Sequence, residues 1–225
     1  MNERLIKRDQ FGAISEIDAG TAGDGGPHRI RRDTGVAWFG LGPLARHAAG
    51  REARALERLA GLDGVPALLS WNGRTLERSW LDGVCLRDAP AVSPAWFPAA
   101  RRLLIAIHRR GVAHNDLAKE PNWLVRADGS PALLDFQLAS VVADPRSRRL
   151  RLLAKQDLRH LLKHKRSFYP DRLTPIERRV LAERSWLSRL WRATFKRAYR
   201  LVTRGILRWE DNEGMGRQRD GSTRS

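Results

Sequence analysis

Cysteine and long apolar runs are scarce in this 225-residue chain. Because Cys85 is the only cysteine, no internal disulfide can form, and we expect a reducing compartment. No segment approaches the roughly 20 apolar residues that span a bilayer. Residues 1–10 carry charge where a secretory signal would be apolar. We therefore expect a cytoplasmic protein that does not span a membrane.

Positive charge, in contrast, is abundant and concentrated near the end of the sequence. Of the formal net charge of +17, residues 146–225 contribute +15, with 23 Lys and Arg against 8 Asp and Glu. The pattern over residues 176–209 predicts a basic amphipathic helix, or two helices broken near Gly205. We favour packing on the body of the protein with a solvated basic face. Peripheral binding to an anionic inner-membrane surface is the alternative, and nucleic acid is disfavoured because no recognition motif accompanies the charge.

The first 80 residues are typical of a strand-rich region with one helix. Loose alternation predicts two strands in residues 4–18, and a third is expected over residues 28–33. Apolar residues at near-helical spacing predict a helix over residues 43–60. The Asn72-Gly73 pair lies between two alternating segments, which is a strong hairpin signal.

After Gly83 the pattern becomes helical. We expect a helix over residues 94–110, a loop over 111–121, short strands at 123–125 and 132–136, and helix from Gln156 onward. This order predicts an α+β fold with two lobes. We assign residues 1–83 to a small strand-rich nucleotide-binding lobe, 84–170 to a helical lobe with a catalytic loop, and 171–225 to a basic C-terminal extension with a disordered end.

Three polar residues in the second lobe are spaced for phosphate chemistry. Asp116 lies on the predicted loop, Asn122 follows it, and Asp135 ends the next hairpin. Phosphoryl transfer needs a carboxylate that orients the attacking hydroxyl, together with oxygen ligands for magnesium. A loop and a neighbouring hairpin can bring these three side chains to one point.

The segments around these residues resemble the protein-kinase-like superfamily. His114-Asn115-Asp116-Leu117 is similar to the kinase His-x-Asp-Leu catalytic loop, and Asp135-Phe136 is similar to the start of Asp-Phe-Gly. The resemblance covers roughly residues 28–165. Within the superfamily it points to the bacterial atypical serine/threonine kinases, beside RIO-type kinases and the Kdo and lipopolysaccharide-core kinases.

For the second lobe, the resemblance implies a role for each residue that matches the motif. Asp116 would be the catalytic base and His114 a structural residue of the loop. Asn122 and Asp135 would be the magnesium ligands. Lys119 would hold the transferred phosphate.

For the first lobe, the resemblance implies that Glu52 supplies the carboxylate of the kinase lysine–glutamate pair. The segment from Ser79 to Gly83 resembles the hinge, so the backbone of Trp80 and Leu81 would bind adenine. The strand over residues 28–33 contains no lysine, and its inward-facing Arg32 would be the phosphate-binding cation instead. Arg and Lys differ at such a site because a planar fork and a point charge approach phosphate differently.

The chain departs from the kinase pattern at three other places. Asn122 lies six residues after Asp116, whereas kinases place this Asn five residues after the base. Gln137 replaces the glycine of Asp-Phe-Gly, which predicts a fixed loop. No G-x-G-x-x-G sequence is present, and only Phe11-Gly12-Ala13-Ile14 lies where a phosphate-covering loop belongs.

These observations lead us to expect an ATP-dependent phosphotransferase that uses Mg²⁺ and transfers the γ-phosphate to a Ser or Thr hydroxyl of a protein. A sugar hydroxyl of a lipopolysaccharide precursor at the inner membrane is the alternative acceptor. A pseudokinase, in which the fold is kept as a binding module, is the alternative class. A nucleic-acid-binding factor remains a third possibility, and it predicts RNA binding that falls steeply with salt.

Overall fold

The computed structural model describes residues 2–18, 28–38 and 40–182. Residues 1–181 form one compact unit. Its first part, which we call the sheet lobe, consists of five strands and one long helix. These elements are β1 (Asn2–Asp9), β2 (Gly12–Asp18), β3 (Arg29–Asp33), α1 (Gly42–Arg58), β4 (Leu68–Trp71) and β5 (Thr75–Ser79).

The five strands form one antiparallel sheet in the order β1-β2-β3-β5-β4. The register pairs Ile30 with Arg78 and Arg32 with Leu76 across β3 and β5. Because side chains alternate along a strand, these four residues share one face of the sheet. Ile30 and Leu76 are buried, so this face is directed into the protein.

The turn between β1 and β2 is tight. Phe11 donates its backbone N–H to Asp9 Oδ1 at 2.9 Å, and Gly12 follows with φ of +134°. A Cβ at Gly12 would lie 2.2 Å from the carbonyl oxygen of Asp33, so only glycine fits there. The predicted phosphate-covering segment is therefore a short turn that packs against the neighbouring strand.

Helix α1 confirms the helix that was predicted over residues 43–60. Pro43 occupies its first turn, where a missing N–H costs no hydrogen bond. Small and apolar side chains at Ala45, Ala49 and Leu56 form its buried stripe. Glu52 lies on this stripe and is 1% exposed, so a carboxylate is buried beneath the sheet.

The second part of the unit, which we call the helical lobe, contains three helices and two small sheets among the described residues. Its elements are β6 (Val84–Cys85), α2 (Trp96–Arg109), β7 (Val112–Ala113), β8 (Trp123–Val125), β9 (Pro131–Leu133), β10 (Ser140–Val141), α3 (Arg148–Phe168) and α4 (Pro175–Ala182). Strands β6, β8 and β9 pair in that order, and β7 pairs with β10. The result is the α+β arrangement of a strand-rich and a helical lobe that the sequence predicts.

Aromatic side chains form the centre of the helical lobe. Trp96 and Trp123 pack edge to face with ring centroids 5.4 Å apart, and Phe97 contacts Trp96 at 5.1 Å in the same geometry. Phe136 is also fully buried in this core. This packing fixes the loop and the turn that carry the predicted site residues.

Two predicted boundaries in this lobe were wrong. The strand expected over residues 132–136 ends at Leu133, because Asp135 adopts a left-handed conformation with φ of 61° that no strand can accommodate. Helix α3 begins at Arg148 rather than near Gln156, because the Ser147 hydroxyl caps it by accepting the Leu150 N–H at 3.2 Å.

The predicted basic helix over residues 176–209 is described only as far as Ala182, where α4 ends. The rest of that prediction lies outside the described residues. In the described part of the chain, no helix has the length and apolar character needed to cross a membrane.

Candidate active site

The loop after β7 is fixed through the ring of His114. This side chain is fully buried, and its Nε2 lies 2.8 Å from the Leu134 carbonyl oxygen. Because a carbonyl only accepts, Nε2 carries the proton and Nδ1 is left as an acceptor. The Asp116 N–H points to that Nδ1 at 3.4 Å. His114 therefore links the loop to Leu134, the residue directly after β9.

The carboxylate of Asp116 is the meeting point of two neighbouring side chains. Lys119 Nζ lies 2.7 Å from Asp116 Oδ2. Asn122 Nδ2 donates to the same oxygen at 3.2 Å and to the Asp116 backbone carbonyl at 2.9 Å. Lys119 and Asn122 thus both lie against the carboxylate of the predicted base.

The additional residue between Asp116 and Asn122 is absorbed by a 3₁₀ turn over Glu120–Asn122, with Pro121 in its first positions. The turn directs the Asn122 amide back to the loop, and the Asn122 carbonyl accepts the Leu134 N–H at 3.0 Å. Asn122 is 5% exposed. The longer loop therefore still brings Asn122 beside Asp116.

Asp135 has an unusual backbone and a buried oxygen. Left-handed conformations are uncommon outside glycine and mark sites where the surroundings hold the chain. Phe136, the next residue, packs against His114 in a tilted arrangement with ring centroids 4.6 Å apart. The Asp135 Oδ1 atom is buried without a hydrogen-bond partner, and such an atom needs an external donor or a cation.

These groups fit a magnesium ion that is also held by phosphate. Asp135 offers the buried Oδ1, and Asn122 uses its amide nitrogen toward Asp116, so its amide oxygen points elsewhere. Among the described residues, no group of three His, Cys, Asp or Glu side chains could form a protein-only metal site. Mg²⁺ in phosphoryl-transfer sites is commonly bound by one or two protein oxygens plus substrate phosphates.

The ammonium of Lys119 lies in the field of both carboxylates. Partial burial would lower its pKa, but the hydrogen bond to Asp116 and the charges of Asp116 and Asp135 outweigh burial and raise the pKa of Lys119. The group therefore stays protonated at neutral pH. It can neutralise a phosphate or hold Asp116 in place.

Asp157 of α3 is a buried residue of the site that sequence reasoning missed. Its carboxylate accepts the backbone N–H groups of His114 and Asn115 at 2.8 and 2.9 Å, and His108 Nε2 lies 3.0 Å away. The available signal was a lone acid between Leu150 and Leu161 on the apolar stripe of the helix. A buried acid in such a stripe must have partners.

The segment after Asp135 is held from two sides. Arg51 of α1 donates to the carbonyl oxygens of Leu138 at 2.7 Å and Ala139 at 2.9 Å. Asn115, itself left-handed with φ of 67°, donates its amide to Leu138 O at 2.8 Å and Ser140 Oγ at 2.9 Å. Leu138, Ala139 and Ser140 are therefore each hydrogen-bonded to α1 or to the loop after β7, and the fixed loop that Gln137 predicts stays a prediction.

In the sheet lobe, Glu52 is paired with the cation that the sequence predicted and with one that it did not. Arg32 Nε lies 3.7 Å from Glu52 Oε2, and Arg78 Nε lies 3.4 Å from Oε1. Arg78 was missed because its strand was interpreted only as half of a hairpin. Its alternation with Leu76 places it on the inward face, which is a signal that the sequence contains.

The predicted hinge residues follow β5 in an extended segment. The Trp80 N–H donates to the His28 carbonyl at 2.9 Å, and the Trp80 indole donates to Asp82 at 2.7 Å. Leu81 comes next and is half-buried. The Trp80 N–H already donates to a protein carbonyl. Of the two predicted hinge residues, Leu81 is therefore the stronger candidate for a backbone contact with adenine.

Comparison with known structures supports the same architecture. The chain is similar to a Rio2 kinase from Chaetomium thermophilum, with a TM-score of 0.55 at 15% identity, over 79% of this chain and 62% of that one. The fold is protein-kinase-like. A complex of Rio2 kinase from the same organism with ADP/Mg²⁺ and phosphoaspartate matches with a TM-score of 0.51 at 15% identity, over 90% and 70% of the two chains.

At this identity the similarity concerns the fold, and the chain spans 62% of the length of the first of these kinases. No protein-family model matches the sequence, and no curated protein is similar to it. The activity therefore has to be argued from the residues of the site.

Proposed function

We propose that this protein is an ATP-dependent phosphotransferase that transfers the γ-phosphate to a Ser or Thr hydroxyl of a protein. The observation that carries the proposal is the meeting of Lys119 and Asn122 on the Asp116 carboxylate, at 2.7 and 3.2 Å, with Asp135 near the same ammonium. A base, a phosphate cation and two oxygen ligands for a metal are the components that phosphoryl transfer requires.

Asp116 would accept the proton of the acceptor hydroxyl as its oxygen bonds to the γ-phosphorus. The bond from that phosphorus to the bridging oxygen breaks, and ADP leaves. Lys119 would neutralise the transferred group. Asn122 and Asp135 would hold Mg²⁺, which supplies charge neutralisation on the phosphate oxygens.

Two further observations support nucleotide as the phosphate donor. The buried Asp135 Oδ1 needs a cation or a donor, and the Leu81 backbone, just beyond the end of β5, is offered as a partner for adenine. The similar Rio2 kinase structure is a complex with ADP and Mg²⁺. We propose the same ligands here.

The decisive experiment compares magnesium-dependent ATP turnover and autophosphorylation by the full chain with those of Asp116→Ala and Asp135→Asn. We expect Asp116→Ala to lose about 10²- to 10⁴-fold in turnover, the range that a positioned acid or base contributes, and Asp135→Asn to lose magnesium-dependent turnover because a charged metal ligand is removed. Asp171→Asn is the matched control because Asp171 is exposed in a distant 3₁₀ turn. Nucleotide binding without turnover by the parent would instead identify a binding module.

The acceptor is tested separately, with labelled ATP and either generic protein substrates or purified lipid-linked sugar. Label on Ser or Thr of the protein substrate supports the proposed acceptor, and label on sugar alone would overturn it. Label on the enzyme that hydroxylamine removes would indicate a phosphoaspartate, the species found in the Rio2 complex.

A further inference from the structure

Glu52 pairs two largely buried arginines with one carboxylate. Arg32 approaches one oxygen and Arg78 the other, at 3.7 and 3.4 Å. The side chains of Arg32 and Arg78 are 14% and 13% exposed, and that of Glu52 is 1% exposed. Two guanidinium groups therefore share one direct carboxylate partner in a poorly solvated place.

Poor solvation affects the pKa of Arg78. Burial is the largest influence and lowers the pKa of Arg78, and the charge of Arg32 lowers it further. The charges of Glu52 and Asp135 act in the opposite direction without cancelling the effect. A guanidinium stays charged in proteins, so the cluster is stabilised by any anion that reaches it.

The strand register aims Arg78 at the interior of the site. Arg78 pairs with Ile30, and Arg32 pairs with Leu76, so both guanidinium groups leave the same inward face. Arg78 is also the penultimate residue of β5, directly before the predicted hinge. The charge of Asp135 also raises the pKa of Arg78, so the proposed metal ligand lies within electrostatic range of this guanidinium.

Each arginine approaches Glu52 through Nε. A guanidinium is a flat fork, so a contact at Nε leaves the terminal amino groups at its other end to face a second acceptor. Phosphate oxygens suit this geometry because arginine can bind them with two parallel hydrogen bonds. Glu52 would thus orient two forks instead of neutralising one lysine.

We propose that Arg78 is a phosphate-binding residue that, with Arg32, holds the polyphosphate of the nucleotide, and that Glu52 positions both. The inference rests on the proposed function only in naming a nucleotide as the ligand. The shared carboxylate and the poor solvation of both guanidinium groups point to a polyanion independently of catalysis. In this arrangement, β5 supplies a cation in addition to β3.

The test measures binding to the full chain by calorimetry, with ATP, adenosine and inorganic tripolyphosphate as separate probes. In Arg78→Met, which keeps the aliphatic length, we expect affinity for ATP and tripolyphosphate to fall about 10- to 100-fold, the range for losing a charge-assisted hydrogen bond. Adenosine affinity should change less than about twofold. Arg78→Lys should be intermediate because it keeps the charge without the fork.

Arg74→Ala is the matched control, because Arg74 precedes the same strand, pairs with Asp33 and has a 62% exposed side chain. This variant should bind all three probes with the affinity of the parent. It also controls for tripolyphosphate that binds to other basic surfaces of the chain. Equal losses of ATP and adenosine in Arg78→Met would show a purely structural residue and overturn the inference. Unchanged binding of ATP and tripolyphosphate in that variant would overturn it as well.

Failure of the proposed function has a different signature. A parent chain that binds tripolyphosphate in an Arg78-dependent way, but neither ATP nor adenosine, would reject the nucleotide and retain the anion site. Loss of ATP turnover in Asp116→Ala with normal tripolyphosphate binding would separate the catalytic centre from this cluster.

Discussion

In the helical lobe a buried carboxylate holds the loop of the candidate site through hydrogen bonds to backbone groups, whereas in the sheet lobe a buried carboxylate holds arginine side chains through ion pairs. Asp157 accepts two backbone N–H groups of the loop that carries Asp116. Glu52 contacts only the guanidinium groups of Arg32 and Arg78 in its ion pairs. Asp157 therefore fixes the backbone of the loop, and Glu52 shares its charge between two arginine side chains.

Both lobes depart from the kinase sequence pattern. In the helical lobe, Asn122 lies six residues after Asp116, and Gln137 takes the third position of Asp-Phe-Gly. In the sheet lobe, β3 contains no lysine, and the Glu52 carboxylate pairs with arginines of two strands, β3 and β5.

The largest effect that separates the lobes is expected at Asp157. Replacing it with Ala leaves the N–H groups of His114 and Asn115 and the His108 ring without their buried acceptor. We expect the free energy of unfolding to fall by about 4 kcal/mol, from several unsatisfied donors at about 1–3 kcal/mol each. Urea denaturation of the full chain measures this loss.

Asp157→Asn provides a second variant if the alanine protein does not fold. It keeps one acceptor oxygen, so about half of the loss is expected. Asp171→Asn, in the exposed turn after α3, should leave the unfolding free energy unchanged. If Asp157→Ala were as stable as the parent, backbone fixation would not distinguish this lobe.

Glu52 tests the sheet lobe in the same way. Glu52→Gln removes the charge that Arg32 and Arg78 share, and breaking a buried pair from one side costs about 3 kcal/mol or more. Adding tripolyphosphate should restore part of this stability, because a polyanion replaces the lost carboxylate. Thermal denaturation with and without the polyanion measures both effects.

Glu77 is the matched control for Glu52, since it likewise pairs with two arginines, both of which are on β3. It lies on the opposite face of the sheet, 3.5 Å from Arg29 and 2.9 Å from Arg31. Its side chain is 15% exposed, against 1% for Glu52. We expect Glu77→Gln to cost under about 1 kcal/mol. Equal losses would mean that burial is not what distinguishes the Glu52 cluster.

A smaller effect is expected where the lobes meet. Arg51→Ala removes the donors to the Leu138 and Ala139 carbonyls, while the Asn115 contact to Leu138 remains. We expect a loss of about 1–2 kcal/mol, at the low end for charged hydrogen bonds because the site is partly solvated. Hydrogen exchange over residues 136–147 should become faster. Arg54 is exposed and lies about one helical turn after Arg51 on α1, so Arg54→Ala should leave that exchange unchanged.

The sequence predicts the helical lobe well because its signals are local. His114, Asp116 and Asn122 lie within nine consecutive residues, so the spacing of the motif itself predicts that they are close in space. Asp157 escaped because its partners lie 43 and 42 positions earlier in the chain. Only folding reveals which buried acid meets which loop.

The sheet lobe was predicted in outline but not in its chemistry. Alternation identified Ile30 and Arg32 as inward residues of β3, and the structure bears this out. The same rule applied to β5 would have selected Arg78. It was not decisive there because an isolated inward arginine has no meaning until the register of β5 against β3 is known.

The smallest expected effect concerns an ion pair within the helical lobe. It tests whether the loss of stability depends on the type of interaction or on the lobe. Lys165 of α3 and Glu177 of α4 form an ion pair at 2.7 Å within the helical lobe. Burial would raise the pKa of Glu177, but the hydrogen bond from Lys165 and contacts with Thr174 dominate and lower it from 4.5. A carboxyl whose pKa is lower when folded stabilises the protein above its ordinary pKa, and this contribution disappears as the pH falls through the folded pKa.

We therefore expect Glu177→Gln to be less stable than the parent by under about 1 kcal/mol at pH 7, as is typical of a partly exposed pair. The difference should shrink toward zero as the pH is lowered below 4.5, the ordinary Glu value. Urea denaturation of both proteins from pH 7 to pH 3 measures it. A difference that persists unchanged at low pH would mean that Glu177 stabilises the protein through packing. In that case, side-chain ion pairs would matter in the sheet lobe alone.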